Sequence, residues 1–302
     1  MSTEAHTPSR DVSRLKAWLT AARPHTLAAS ACPVMAASAL AWRNGAFRLV
    51  PAVLCLLVAV LAQIAANLSN DYFDYEKGAD TDRRVGHQRA VASGWIAPRT
   101  MLTASLVTLG AACLCGLFLL AYGDWRILLP AGIAIALCVP AYTAGPYPLA
   151  YRGWGDICVL LFYGAIPVCL TYYVQAGTIP SAAVWLSIAL GFLSVNILLV
   201  NNVRDQEQDA AAGKRTTVVR FGRRFGTTLY LVCALLAVVC SWPIYLYRST
   251  YTWLLFLIFL TFELITWQDL RRLRGSDLNR VLGLTARNVW IYTLLLISLL
   301  VF

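Results

Sequence analysis

The chain has 302 residues, of which 59% are hydrophobic and 13% charged, whereas a water-soluble domain carries about 25% charged residues. That balance excludes a soluble globular domain and makes a bilayer the natural solvent. The formal charge of +10 does not point to nucleic acid, because the bases fall in short loops between apolar stretches and no nucleic-acid motif accompanies them.

In chain order, residues 1–15 are a polar arm without an apolar core, so no cleavable signal peptide is expected and the first helix directs insertion. Charge-free stretches of spanning length follow at 24–42, 49–70, 100–123 and 127–151. The stretch 157–203 is long enough for two helices split at Gly177–Pro180, and 225–247 supplies another. Ser249–Gln268 is interrupted only by Glu263, and 281–302 carries Arg287 near its start. The expectation is an all-α, polytopic membrane protein with nine transmembrane helices and a single intramembrane domain over 1–302, since no linker is long enough to divide it.

Lysines and arginines favour the cytoplasmic side of a membrane. With nine helices, 21 of the 25 basic residues share one side, leaving Arg43, Arg48, Arg126 and Arg248 on the other. The N-terminus is therefore expected in the cytoplasm and the C-terminus outside. All nine cysteines lie in apolar stretches without C-x-x-C spacing and read as small hydrophobes. His6, His25 and His87 are too scattered for a histidine metal site.

The polar loops at 75–97, 204–223 and 269–280 are the segments left for chemistry. Two of them open alike: Asn67-Leu-Ser-Asn-Asp71-Tyr-Phe-Asp74-Tyr-Glu-Lys77 parallels Asn201-Asn-Val-Arg-Asp205-Gln-Glu-Gln-Asp209, followed by Gly213-Lys214. Four expected helices separate them, so both emerge at the same membrane face. If the helices run on, Asn67, Asp71 and Asp74 fall at i, i+4 and i+7, and Asn201, Asp205 and Asp209 at i, i+4 and i+8, each set along one face. Two such faces turned together would repel unless cations lay between them, and oxygen-only ligands suit Mg²⁺, which shares its sphere with substrate phosphates. Lys77, Arg83, Arg84 and Arg89 in the first loop and Arg204, Lys214, Arg215 and Arg220 in the second stand ready to neutralise a leaving group. A diphosphate head at the interface with a hydrocarbon tail in the bilayer describes a polyprenyl diphosphate. Juxtamembrane charges often only solvate a loop and set topology; that reading holds for Arg271, Arg272 and Arg274, but two matching motifs on one face outweigh it. Glu263 is the one acid well inside a span, where ionisable groups are functional by default, although its place near the cytoplasmic end allows it to snorkel.

These motifs resemble the UbiA-type superfamily of intramembrane aromatic prenyltransferases over nearly the whole chain. More narrowly they are similar to the 1,4-dihydroxy-2-naphthoate polyprenyltransferases of menaquinone synthesis, through Arg23-Pro24-His25-Thr26, Asn67 to Thr81, Ala141-Tyr142-Thr143 with Pro146 to Tyr151, and Asn201 to Gly222. The resemblance implies nine helices around a central cavity in the cell membrane, with the active site facing the cytoplasm. It places Mg²⁺ and diphosphate on Asn67, Asp71, Asp74, Asn201, Asp205 and Asp209, with Lys77, Arg83, Arg89 and Lys214 as diphosphate contacts. One departure is Gly78, where the superfamily often carries a third aspartate; Asp80 stands two residues further on.

The benzoate branch of that superfamily tends to show Tyr-x-x-x-Lys-Arg, whereas this chain has Tyr147-Pro-Leu-Ala-Tyr151-Arg152, which favours 1,4-dihydroxy-2-naphthoate as acceptor. Tyr142, Tyr147 and Tyr151 are candidates to flank the acceptor ring and steady an allylic cation, and Asp156 to orient or deprotonate a phenol; the plainer alternative is that the tyrosines are interfacial anchors. Two other readings are prenylation of another acceptor such as 4-hydroxybenzoate and a secondary transporter. The latter normally holds its ions near the bilayer midplane between inverted repeats, which a pair of acidic motifs at one face does not match.

Overall fold

The computed structural model describes residues 12–78, 85–86, 88–245 and 252–302. Among the described residues the chain is helical and no strand occurs. A short helix α1 (Arg14–Ala22), capped by Ser13, ends at Arg23, whose φ of 51° turns the chain through Pro24–Thr26 into α2 (Leu27–Arg43). Then come α3 (Leu49–Glu76), α4 (Pro98–Leu119) and α5 (Trp125–Ala141). Next, α6 (Gly155–Leu160) passes through a π-helical turn, Leu161–Ala165, into α7 (Ile166–Ala176). The rest comprises α8 (Ser181–Arg204), the short α9 (Gln206–Ala211), α10 (Thr217–Cys240), the single turn α11 (Trp242–Tyr245), α12 (Thr252–Arg272) and α13 (Leu278–Val301).

Six segments are long and apolar enough to cross a membrane: α3, α4 with its extension to Tyr122, the α6–α7 unit, α8, α10 as far as Ile244, and Gly275–Val301. A protein with this many apolar helices is a multi-pass membrane protein. The most apolar window of α8 is 72% buried within the protein and that of α4 only 17%, so α8 is the central post and α4 faces lipid with Leu106, Val107, Leu114 and Phe118 exposed. Alanines 28, 29, 36 and 37 of α2 are buried, which brings α2 close to α7, α8 and α13. Glycine does the same where the π-turn crosses α8. A Cβ on Gly164 would lie 2.6 Å from the Ser187 carbonyl oxygen and 2.7 Å from Cα of Gly191.

Three expectations change. The stretch 127–151 is not one helix, because Pro140, the Gly145-Pro146 pair and Pro148 end α5 at Ala141 and leave 142–154 as turns and a 3₁₀ segment. The second acidic motif is not one helix either, since α8 stops at Arg204 and α9 restarts beyond Asp205. The register survives, with Asp205 and Asp209 amides bonded to the carbonyls of Asn201 and Asp205 at 2.9 and 2.7 Å. Glu263 does not snorkel: it is 1% exposed and accepts a hydrogen bond from the Tyr230 hydroxyl, tying α12 to α10, while Tyr230 also meets Thr285 of α13. The split at Gly177 stands, with that residue capping α7 at φ 75° before Pro180 leads into α8.

Candidate active site

The site begins with one face of α3. Cys55, Val58, Ala59, Ala62, Gln63, Ala66, Asn67 and Asn70 all line a single cavity of ≈ 270 Å³, and their spacing alternates three and one, the signature of a helical face. Ser194, Ile197, Leu198 and Asn201 of α8 form the facing wall, and Phe162, Tyr163, Leu170 and Val174 close it. Around the polar ends of α3 and α8 lies a second cavity of ≈ 140 Å³, with Asp74, Arg89, Asp156, Arg204, Asp205, Asp209 and Lys214 in its wall. Arg23, Asn70, Tyr142, Leu198 and Asn201 belong to both walls, so the apolar chamber opens into the polar one.

The polar chamber brings the two acidic motifs together through cations. Asp74, 2% exposed, accepts from Arg89 at 2.9 Å and from the Tyr151 hydroxyl at 3.1 Å. Lys214 lies between the motifs, 3.4 Å from Asp209 and 3.9 Å from Asp74. Lys77 at 4.6 Å and Lys214 at 5.0 Å both lie over the ring of Tyr151, and Lys77 donates to the carbonyl of Thr143. Asp205 is held bidentately by Arg204. Burial pushes the Asp209 carboxyl up to about 6, with Lys214 opposing and the Asp205 and Asp74 charges adding to the rise. Burial also lowers the Lys77 amine, against the pull of Asp74 and with the push of Lys214.

The expected residues do not all arrive in this chamber. Asp71, 1% exposed, accepts from the backbone amides of Ala90 and Val91 at 3.1 and 3.2 Å, anchoring the turn that carries Arg89. Asn67 lines the apolar chamber, and its amide nitrogen donates to Ala22 O and Thr26 Oγ1, both at 2.9 Å, fastening the bend at Arg23 to α3. Tyr147 points elsewhere: it is 55% exposed and stacks under the Arg152 guanidinium at 4.8 Å. Tyr142 sits at the junction of the chambers, and Asp156 lines the polar one with Oδ1 buried and without a hydrogen-bond partner among the described residues. Arg83, Arg84 and Asp80 lie outside the described residues. Sequence reasoning missed Asn70, which accepts from Thr143 Oγ1 at 2.8 Å and lines both chambers; its signal was a place three residues after Asn67, on the same helical face.

Oxygen donors dominate the acidic wall, the set a hard divalent cation prefers. Among the described residues no three acidic side chains enclose an ion by themselves.

Comparison with known proteins agrees with this geometry. The model of the UbiA prenyltransferase family matches residues 30–299. A 1,4-dihydroxy-2-naphthoate octaprenyltransferase of Haemophilus influenzae is 38% identical over 78% of this chain and 82% of its own length. The Escherichia coli enzyme of that name is 36% identical over 82% and 83%. Among solved structures, a UbiA homologue of Archaeoglobus fulgidus bound to DMAPP and Mg²⁺ superposes with a TM-score of 0.65 at 17% identity, covering 93% of this chain and 99% of that one. The apo UbiA homologue of Aeropyrum pernix gives 0.69 at 13% identity, over 91% and 97%. With the family's pattern running through almost the full length of the bundle, this chain belongs to the UbiA prenyltransferase family.

Proposed function

We propose that this protein transfers a polyprenyl group from a polyprenyl diphosphate to 1,4-dihydroxy-2-naphthoate, with loss of carbon dioxide, to give demethylmenaquinol in menaquinone biosynthesis. The supporting observation is the joined pair of chambers: an acid-and-base-lined head compartment opening into an apolar compartment along α3. The relatives' activity points to the acceptor.

In this reading Asp74, Asp205 and Asp209, with the amides of Asn70 and Asn201, are the wall on which Mg²⁺ would be held together with the diphosphate. Bound there, Mg²⁺ would withdraw charge from the diphosphate and favour departure of the leaving group. Arg89 and Lys214 face the leaving oxygens, Lys77 stands at the Tyr151 ring outside the chamber wall, and Asp71 acts by holding the Arg89 turn. As the allylic C–O bond breaks, its electron pair leaves with the diphosphate; the electron-rich ring then forms the new C–C bond, and the C–C pair released with carbon dioxide restores aromaticity. Tyr142, at the chamber junction, flanks the allylic carbon and the ring, and Asp156 orients the acceptor hydroxyl. Tyr151 steadies Asp74 rather than the acceptor. The remaining elements of the reading are nine spans counting α2, α5 and α12, a cytoplasmic N-terminus, and a head chamber opening to the cytoplasm from the cell membrane.

The test is product formation by purified protein supplied with a polyprenyl diphosphate, 1,4-dihydroxy-2-naphthoate and Mg²⁺, beside a sample in EDTA. A metal-dependent prenylated naphthoquinol lacking the carboxylate is expected. Prenylation of 4-hydroxybenzoate with 1,4-dihydroxy-2-naphthoate ignored would overturn the acceptor assignment.

A further inference from the structure

Asp205 faces the polar chamber with both carboxylate oxygens bonded to one guanidinium. Nε of Arg204 donates to Oδ1 and Nη2 to Oδ2, each at 2.7 Å. The remaining nitrogen, Nη1, donates at 2.9 Å to Oδ1 of Asn279 on α13, whose amide in turn donates to the carbonyl of Val85 at 3.2 Å. Gly86 lies against the same guanidinium, and a Cβ there would come within 2.7 Å of Nη2. Arg204 is 9% exposed. It is thus fixed from the end of α8, the start of α13 and the loop after α3.

This arrangement differs from the single-nitrogen contact of Arg89 with Asp74 and from the ammonium of Lys214. Lys214 approaches Asp209 and Asp74 at 3.4 and 3.9 Å as a single ammonium on a flexible stem, easily displaced. A forked guanidinium takes one lone pair on each oxygen of Asp205 and sets a fixed positive charge beside the others, which opposes a free cation, and arginine does not deprotonate in proteins. Its fork matches carboxylate and phosphate alike, so Arg204 can exchange one for the other without losing a partner.

Resting on the reading above, we propose that Arg204 is a positioning residue that keeps Asp205 closed to a free divalent cation and releases it when the cation arrives with a diphosphate, whose oxygens take over the guanidinium. The site then loads metal and diphosphate cooperatively. Gly86 and Asn279 are part of the device, one by leaving room for the guanidinium and the other by aiming it.

The test is equilibrium binding of Mn²⁺ to the full chain, followed by the signal of the free ion in electron paramagnetic resonance, with and without inorganic diphosphate. Wild-type protein should bind Mn²⁺ weakly alone and more tightly with diphosphate. Arg204→Met should bind Mn²⁺ alone about tenfold more tightly and lose about tenfold of the coupling, a typical size for coupling between two ligands, while kcat falls. Arg204→Lys, which keeps the charge without the fork, and Gly86→Ala, which crowds Nη2, should move in the same direction by less. A merely structural arginine would weaken metal binding in every variant. Coupled binding in the wild type with unchanged or weaker Mn²⁺ binding alone in all three variants overturns the role of Arg204 only. A wild-type protein that takes up no Mn²⁺ even with diphosphate overturns the reading of the chamber itself.

Discussion

The buried Asp71 and the partly buried Asp205 serve the same chamber by different bonds, and their variants should separate. Asp71→Ala removes the acceptor for the Ala90 and Val91 amides, and an amide left buried without a partner costs on the order of 1–3 kcal/mol. Turnover should be lost together with amide protection in residues 89–96, read by hydrogen exchange. Asp205→Ala should abolish turnover and leave exchange at 89–96 unchanged. Normal activity in either variant would remove that residue from the machinery. Arg271→Ala is the control: its guanidinium stacks on Trp267 at 4.8 Å, away from both chambers, and turnover should barely change.

Asp209 gives a prediction with a sign. Its carboxyl titrates near 6 in the fold, raised from 3.8 chiefly by burial. Between those values the folded state binds more protons than the unfolded one, so stability falls as pH rises and the cost is complete above 6. Asp209→Asn removes that cost and should stabilise the fold at pH 7.5 by an amount on the order of 1–3 kcal/mol, read as a higher melting temperature, while abolishing turnover. In the wild type kcat/KM should drop as pH falls through about 6, since a protonated Asp209 cannot serve a cation. A lower melting temperature in the asparagine variant would show that its pair with Lys214 at 3.4 Å outweighs the burial.

At the scale of elements, the crossing of the π-helical turn Leu161–Ala165 on α8 depends on two glycines. A Cβ on Gly191 would sit 2.8 Å from Leu160 Cδ1 and one on Gly164 2.6 Å from a backbone oxygen. The nearest neighbour of the first is a side-chain end that can turn, with backbone no closer than 3.1 Å; that of the second is backbone that cannot. Gly164→Ala should therefore cost more than Gly191→Ala, about 1–3 kcal/mol by overpacking, seen as a larger fall in thermal stability. Equal losses would mean that the π-helical turn shifts freely on α8. The loop at 149–153 is held by the same logic, since Gly153, at φ 84°, leaves space for the carbonyl of Arg215 that a Cβ would approach to 2.6 Å. That contact is what brings Tyr151 to Asp74.

For the molecule as a whole, the apolar chamber runs along α3 from Asn70 to Cys55, a distance of about 22 Å at the helical rise per residue. Val58→Trp, near the far end, should leave turnover with dimethylallyl diphosphate largely intact and lower it with a long polyprenyl donor at least tenfold, measured as the ratio of kcat/KM values. Equal losses for both donors would mean that the tail leaves the chamber before reaching Val58. Much of this architecture is legible along the chain. Apolar length marks the helices, and the spacing of Asn67, Asn70 and Asp74, three and then four residues, places them on one face, because helical periodicity is a property of neighbours in sequence. The partners of the site's polar atoms are not. Asp71 turns to the amides of a loop nineteen residues on, Asn67 to the bend after α1, Tyr147 to Arg152 outside the chambers, and Arg204 to a residue of the last helix. A carboxylate written in a motif states what it can bind; only the packing of α3, α8 and α13 with the loops between them decides which donor reaches it first, because hydrogen bonds form across distances the chain must fold to close.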